Sequence, residues 1–291
     1  MGFGRIIKGV GSFYDVMAED GQITRCRMRG SFRNKKIVPA VGDWVEFTRE
    51  GEGDAAVVKI FPRASYLTRP VVANATQGAI VCAVKNPEIS YVLLDKMLIN
   101  NERCGLKSLI CFNKCDLADH AQLDFLQENY RDCGAKLFFL CAKSGEGLEK
   151  LKEELAGQIT LFSGVSGAGK STLLSKFFPM RELQTGELSE KIQRGKHTTR
   201  HSELMPLENG AYLLDTPGFS SLELADLSPD ELWRYYKEFY EYSDCKFNTC
   251  LHLNEPQCGV KSALEAGEIS SLRYENYRCI YEELKKNYKA Y

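Results

Sequence analysis

The sequence predicts a multi-domain fold: an N-terminal β-barrel, a central α/β domain and a C-terminal, mostly helical domain that binds a metal. Three observations support this prediction. Short segments rich in β-forming residues fill residues 1–65. Strand-like and helix-like segments alternate over residues 66–223. A compact group of cysteines with one histidine lies within residues 224–291. We take these three ranges as the predicted domains.

The composition limits the class of protein. The 291 residues have a formal net charge of −1 and include 11 cysteines. A chain this close to neutral has no overall basic signature, so any contact with nucleic acid requires a local patch. The N-terminus lacks an apolar signal segment, and no apolar run is long enough to span a bilayer. We therefore expect a cytoplasmic protein without membrane contact, whose cysteines are core residues or metal ligands.

The first predicted domain is a small barrel of the OB-fold type. Runs of β-forming residues occupy positions 9–16, 22–28 and 43–48. Gly11, the Asp20-Gly21 pair and the Gly42-Asp43 pair separate them as turns. Several short strands within about 65 residues are typical of such a barrel.

A basic patch is predicted on this barrel. Arg25, Arg27 and Arg29 recur with period two, so they share one face of a strand. A loop after them carries further cationic and aromatic side chains: Phe32, Arg33, Lys35 and Lys36. One interpretation is a solvated strand face, and the other is an RNA-binding patch that follows phosphates, with Phe32 stacking on a base.

The central range alternates between the two kinds of secondary structure. Strands are predicted over 78–84, 108–112, 136–141 and 212–214, and helices over 90–102, 121–132 and 148–156. This alternation predicts a mostly parallel, doubly wound sheet. Ligands bind such sheets at the carboxyl ends of the strands.

A phosphate-binding loop lies in this domain. The stretch has the pattern G-x-x-x-x-G-K-S between a short apolar run and a helix-compatible segment, the context this motif requires. Its glycines let backbone N–H groups surround phosphate oxygens, Lys170 reaches the β- and γ-phosphates, and Ser171 ligates Mg²⁺. The residues predicted to bind are Gly164, Val165, Ser166, Gly167, Ala168, Gly169, Lys170, Ser171 and Thr172.

Two further motifs predict guanine recognition. Asn113-Lys114-Cys115-Asp116 follows an apolar strand as N-K-x-D, where the Asp116 carboxylate can accept two hydrogens from a guanine edge. Cys141-Ala142-Lys143 follows the next strand and resembles the S-A-K loop whose backbone contacts the guanine oxygen in GTPases. Each motif is weak alone, but together with the phosphate loop they indicate a guanine nucleotide.

The remaining catalytic positions lie between residues 197 and 219. Asp215-Thr216-Pro217-Gly218 reads D-x-x-G, in which Asp215 holds Mg²⁺ and the Gly218 N–H senses the γ-phosphate. Thr199 is the first choice for a second Mg²⁺ ligand, with Thr198 as the alternative.

A water-orienting glutamine is missing from its usual place. Phe219 stands after Gly218, where Ras-like GTPases carry that glutamine, so intrinsic hydrolysis is expected to be slow. His197 is the candidate substitute, because a neutral imidazole can orient or deprotonate water. The alternative is an ordinary loop histidine.

The C-terminal range contains a predicted structural zinc site. Cys245, Cys250, His252 and Cys258 lie within fourteen residues and form a Cys₃His set suited to tetrahedral Zn²⁺. Such a site has no open coordination position, so we expect one structural ion. This ion would stabilise a region that is too small to build its own core.

The order of the motifs indicates the family. N-K-x-D and the Ala142-Lys143 loop precede the phosphate loop, whereas in ordinary GTPases they follow it; the domain is therefore a circularly permuted GTPase. With the barrel before it and the Cys₃His set after it, the chain resembles the ribosome small-subunit-dependent GTPase A (RsgA) family. The stretches Val41-Gly42-Asp43-Trp44-Val45 and Gly195-Lys196-His197-Thr198-Thr199 add to the resemblance. Cys141 departs from it, since many members carry Ser there.

The resemblance implies a function. It implies a factor that binds GTP and GDP with Mg²⁺, contacts ribosomal RNA, and assists late maturation of the small (30S) subunit, which stimulates its slow GTP hydrolysis. A monomer is the default expectation. Two alternatives remain at this stage. One is an RNA-binding assembly module whose nucleotide site only senses guanine nucleotide without turnover, and the other is an ATP-dependent kinase or ATPase.

Overall fold

The computed structural model describes residues 1–28, 38–49, 55–68, 70–178, 203–216, 222, 224 and 226–288. The chain divides into two compact units. The first comprises residues 1–77, 152–162 and 174–217, and the second comprises residues 78–151, 163–173 and 218–291.

The first unit begins with the predicted barrel. Five strands close it in the order β1-β2-β3-β5-β4: β1 (Gly2–Val10), β2 (Phe13–Ala18), β3 (Ile23–Met28), β4 (Trp44–Thr48) and β5 (Ala55–Ile60). One inward-facing residue of each strand is completely buried, namely Ile6, Val16, Cys26, Val45 and Val57. The expected OB-like barrel is confirmed.

A buried carboxylate holds the chain where it enters β4. Asp43 is fully buried and accepts two hydrogen bonds from Arg63, at 2.6 and 2.7 Å, and a third from the Ala40 N–H at 2.8 Å. Gly42 has a φ of +94°, and a Cβ there would lie 2.0 Å from the Ala73 carbonyl oxygen. These contacts fix the conformation of the Val-Gly-Asp-Trp stretch, residues 41–44, which we call the base of the barrel.

Other strands of the first unit lie outside the barrel. A two-stranded ribbon pairs β6 (Tyr66–Thr68) with β7 (Val71–Ala73). The main part of β11 (Ile159–Gly164) runs parallel to β13 (Tyr212–Asp215), with Phe162 opposite Asp215. β12 (Leu204–Pro206) is antiparallel to β13.

In the α/β region, neighbouring strands follow the order β11-β13-β12 in the first unit and β10-β9-β8 in the second. In the second unit, β8 (Gln77–Ala83) is buried at every position, and β9 (Lys107–Asn113) runs parallel to β10 (Lys136–Phe139). The helices are α1 (Tyr91–Arg103), α2 (His120–Tyr130), α3 (Leu148–Leu155) and α4 (Lys170–Phe177). The strands and helices predicted for this region are all present, with boundaries shifted by one or two residues.

The C-terminal region is held together by aromatic side chains. The aromatic-rich sequence of residues 229–242 favours a helix, but these residues form two 3₁₀ segments, Pro229–Tyr235 and Lys237–Tyr242. They are separated at Tyr236, whose backbone is extended and whose buried ring packs 5.3 Å from Tyr277 and 5.2 Å from Phe239. This packing overrides local helix propensity. α5 (Gly259–Glu265) and α6 (Ser271–Tyr288) follow, and Tyr274, Tyr277 and Tyr281 form an aromatic stripe on α6.

A buried ion network joins α1 to α6 inside the second unit. Arg273 of α6 forms an ion pair with Asp95 of α1 and another with Glu238, whose Oε1 is 2.7 Å from its Nε. Asp95 is fully buried, and it also accepts hydrogen bonds from Tyr130 (3.1 Å), Tyr236 (3.2 Å) and Asn276 (3.0 Å). Burial raises the pKa of Asp95, and the positive charge of Arg273 acts against that rise. The ion pairs and hydrogen bonds of this network replace the interactions with water that these charged groups lose when they are buried.

None of the helices in the described ranges combines the length and the apolar character needed to cross a bilayer.

Replacing Arg273 by Met should destabilise the fold strongly. The change leaves Asp95 and Glu238 buried without their shared cation, and breaking a buried pair costs about 3–5 kcal/mol. The matched control is Lys96→Met, which breaks a second α1–α6 ion pair, 2.6 Å long, whose Glu283 carboxylate is exposed. That change should cost at most about 1 kcal/mol. Denaturant unfolding measures the loss of unfolding free energy in both variants. Equal losses would contradict the assignment of Arg273 as the shared cation of a buried network.

Candidate nucleotide site and metal centre

The phosphate loop connects β11 to α4. Gly164 ends the strand with a φ of +151°, and a Cβ there would lie 2.3 Å from the Val81 carbonyl oxygen. Gly169 has a φ of +89°, and its Cβ would lie 2.2 Å from Nδ2 of Asn113. Both glycines are therefore required by close approach as well as by conformation. Lys170 and Ser171 begin α4, so the helix N-terminus and the Ser171 hydroxyl lie at the same end of the loop.

Asn113 and Lys114 tie three separate segments together. Nδ2 of Asn113 donates to the Ala168 carbonyl, and Oδ1 accepts from the Ala142 N–H, each at 2.9 Å. Nζ of Lys114 donates to the Gly167 carbonyl at 2.8 Å and to the Asn86 carbonyl. The second unit thus brings the N-K-x-D segment, the Ala142 loop and the phosphate loop into direct contact, as their motifs predict.

Asp116 and Cys141 are also brought together. The thiol of Cys141 donates to Oδ1 of Asp116, with sulfur and oxygen 3.2 Å apart. A thiol is a weak donor, so it orients the carboxylate less firmly than a hydroxyl would. Asp116 is exposed, and so is Lys143, two residues after Cys141. Sequence reasoning assigned Cys141 through its backbone and missed this side-chain contact.

Asp215 lies in the first unit, at the end of β13. Its side chain is exposed and it stands opposite Phe162, from which the chain runs through Ser163 into the phosphate loop. The next residue, Thr216, donates from its hydroxyl to the Phe162 carbonyl at 2.8 Å. This bond continues the β11–β13 pairing just beyond Asp215.

Several predicted residues fall outside the described ranges. These are the catalytic candidate His197, the Mg²⁺ candidates Thr199 and Thr198, Gly218 and Phe219, and part of the basic patch, namely Arg29, Phe32, Arg33, Lys35 and Lys36.

The rest of the basic patch is placed on β3. The guanidinium carbons of Arg25 and Arg27 lie 4.5 and 4.6 Å from the centre of the Phe13 ring. Phe13 stands opposite Arg27 in the β2–β3 pairing. Sequence reasoning missed Phe13; its position after the Gly11 turn was the available signal, because a hairpin brings it opposite this part of β3.

The four predicted metal ligands converge. The sulfurs of Cys245, Cys250 and Cys258 and Nδ1 of His252 all lie within 4.8 Å of one another. Nδ1 is 3.5, 3.6 and 3.4 Å from the three sulfurs in that order, and the sulfurs of Cys245 and Cys258 are 3.8 Å apart. Ligands at about 2.0–2.3 Å from a tetrahedral Zn²⁺ would be about 3.5–3.8 Å apart. The donor set therefore fits that ion in type, number and spacing.

The surrounding residues fix the histidine. His252 has a φ of +61°, and its carbonyl accepts a hydrogen bond from the Tyr274 hydroxyl at 2.6 Å. Its ring meets Trp233 and Phe239 edge to face, at 5.3 and 5.9 Å. Nε2 is buried without a hydrogen-bond partner among the described residues, which leaves Nδ1 as the nitrogen that faces the sulfurs.

Comparison with known proteins identifies relatives over nearly the whole chain. Residues 3–57 match the family described as "RsgA N-terminal domain" and residues 60–225 the one described as "RsgA GTPase". "Small ribosomal subunit biogenesis GTPase RsgA" of Clostridium novyi is 47% identical over 282 residues, 97% of each chain. The protein of that name from Caldanaerobacter subterraneus is 44% identical over 98% of this chain and 97% of its own length.

Two solved structures share the fold. YjeQ from Thermotoga maritima has a TM-score of 0.82 and 37% identity, covering 97% of this chain and 98% of its own. YloQ, described as a circularly permuted GTPase, has a TM-score of 0.81 and 35% identity, covering 98% of this chain and 96% of its own.

We expect the purified protein to contain one Zn²⁺ per chain, held by the Cys₃His set. Cys250→Ser should release it and lower the melting temperature of the C-terminal region, because the ion links residues 245–258 to the aromatic core around them. The control is Cys279→Ser, which removes an exposed thiol outside the cluster. Elemental analysis and thermal unfolding measure the effects. Metal-free parent protein, or equal zinc content in both variants, would contradict the assignment.

Proposed function

This chain belongs to the RsgA GTPase family, and from that premise we propose that it hydrolyses GTP in support of small ribosomal subunit biogenesis. The observation that carries the proposal is the set of hydrogen bonds from Asn113 and Lys114. They hold the base-reading segments against the phosphate loop, as a guanine-nucleotide site requires. The curated relatives are named for this function over nearly the same length.

The site would bind the nucleotide from both ends. Asp116 reads the guanine N–H groups, and the Ala142 segment lies beside it, joined through Cys141. Backbone N–H groups from Gly164 to Thr172 and Nζ of Lys170 surround the phosphates. Because unpaired buried polar groups are costly, this arrangement favours GTP and GDP over adenine nucleotides. That selectivity argues against the ATP-dependent kinase or ATPase.

Mg²⁺ would accompany GTP. Ser171 and Asp215, with Thr199 outside the described residues, supply hard oxygen ligands of the kind that this ion prefers. When bound, Mg²⁺ neutralises charge on the β- and γ-phosphates. Gly218, three residues after Asp215 in the D-x-x-G motif, would respond to the γ-phosphate through its backbone N–H.

The barrel is proposed to bind ribosomal RNA. Arg25 and Arg27 are held over Phe13 by cation–π contacts, so two cations and an aromatic ring share one face. Cations neutralise phosphates, and an aromatic ring with stacked guanidinium groups can receive a base. The competing interpretation is a solvated strand face. We further propose that the protein acts as a monomer in the cytoplasm, where small subunits mature.

The decisive experiment measures GTP hydrolysis with and without purified small subunits. We expect slow turnover by the protein alone and faster turnover with subunits. If His197 positions water, His197→Ala should remove about 10²–10⁴-fold of the stimulated rate, while GTP binding is retained. Phe219→Ala is the control, since that side chain cannot activate water. Absence of turnover under both conditions would instead favour the RNA-binding module that only senses nucleotide.

Asp116→Asn tests the guanine assignment. The new side chain offers a donor where a carboxylate accepted two hydrogens, so GTP affinity should fall by about 10²-fold or more. Xanthosine nucleotides, whose base edge presents an acceptor there, should bind better than they do to the parent. Equilibrium binding of labelled nucleotides measures both effects. Glu146→Gln, on the neighbouring loop, is the control. Unchanged GTP affinity in Asp116→Asn would refute the assignment.

A further inference from the structure

We propose that strand β1 of the barrel couples the basic patch to the strands that border residues 179–202, with Lys8 and Arg5 as positioning residues for GTP hydrolysis. The inference rests on the proposed GTPase function. All of its contacts lie within the first unit.

Lys8 is attached to the strand that follows residues 179–202. It forms an isolated antiparallel bridge with Glu203, and Nζ lies 3.0 Å from the Glu203 carboxylate. Leu204, the next residue, begins β12 and pairs with Leu214. Leu214 is the immediate neighbour of Asp215, the proposed Mg²⁺ ligand. A displacement of Lys8 is therefore transmitted to Asp215 through the Lys8–Glu203 ion pair and the pairing of β12 with β13.

Arg5 makes a second connection to the same strand. Its guanidinium lies between two aromatic rings, 5.1 Å from the centre of Trp44 and 5.2 Å from that of Tyr212. It also donates to the Gly42 carbonyl at 2.9 Å. Trp44 and Gly42 belong to the base of the barrel, and Tyr212 begins β13, three residues before Asp215. Arg5 thus sets the position of β13 relative to β1.

A row of alternating charges leads from the patch to this attachment. Asp15 of β2 stands opposite Arg25 on one side and opposite Lys8 on the other. Directly opposed residues in antiparallel strands share a face and interact. With Glu203 beyond Lys8, the signs along the row are positive, negative, positive, negative.

Through this row of charges, a polyanion that binds the basic patch can affect the nucleotide site. An RNA phosphate at Arg25 would neutralise the cation that stands opposite Asp15 in the strand register. With less positive charge on that side, the Asp15 carboxylate would attract Lys8 more strongly and weaken the hold of Lys8 on Glu203. Lys8 and Glu203 are part-exposed, so their ion pair adds little to stability. The role of this ion pair is instead to change the position of β12 when RNA is bound to the barrel.

Charge reversal tests the coupling. Lys8→Glu and Glu203→Lys each create a like-charge pair, and the double variant restores opposite charges. We measure kcat for GTP with saturating small subunits and without them, so that weaker subunit binding does not enter the ratio. Each single reversal should reduce the stimulation by about 2- to 30-fold, the range of couplings through packed networks. The double variant should recover part of it, because it restores opposite charges across the bridge but leaves a negative charge at position 8 opposite Asp15. Lys59→Glu, an exposed barrel lysine away from this row, is the control and should keep the parent's ratio.

A second pair of variants tests Arg5. Tyr212→Leu removes the ring from the stack and should raise the Mg²⁺ concentration needed for half-maximal hydrolysis, whereas Tyr212→Phe keeps the ring and should stay close to the parent. Thermal unfolding of every variant identifies loss of fold.

The outcomes separate the inference from the function on which it rests. If the parent is stimulated and both charge reversals are stimulated equally well, or if the double variant fails to recover, the coupling is refuted while the GTPase assignment stands. Equal Mg²⁺ dependence in Tyr212→Leu and the parent refutes the role of Arg5. A parent that never hydrolyses GTP overturns both.

Discussion

The side chain of Asn113 is the constraint on which the nucleotide site depends. It donates to one loop and accepts from another, so three segments that lie far apart in the sequence are fixed by one amide. Asn113 is almost completely buried, where an unmade hydrogen bond is costly. The close approach of Gly169 to this amide explains why the loop needs glycine there. Circular permutation changes the order of the segments along the chain but not the hydrogen bonds that assemble them.

Much of the architecture could be predicted because its signals are local. Alternating hydrophobicity and turn residues were enough for the barrel, and the G-x-x-x-x-G-K-S loop needed only its flanking strand and helix. The Cys₃His set was predictable for the same reason, since short spacing forces its members together. These predictions required residue types and spacing, without any knowledge of tertiary packing.

What sequence reasoning missed depends on contacts between distant residues. Residues 229–242 have helix-compatible side chains, yet burial of Tyr236 against α6 breaks the segment into 3₁₀ turns. Phe13 was missed because its role follows from strand register, and the Cys141 thiol because its partner Asp116 lies 25 residues earlier. The partnership of Asp95 with Arg273 joins α1 to α6 and has no sequence signature at all.

The distance along the chain between Asp95 and its partners has a consequence for biosynthesis. Asn276 lies 181 residues after Asp95, and Arg273 is almost as far. At about 5–20 residues per second, translation delivers these partners roughly 10–40 s after α1 has been made. During that interval the face of α1 that carries Asp95 has to remain hydrated, because a carboxylate cannot be buried alone. The synthesis of α6 is therefore the event that allows α1 to close its core.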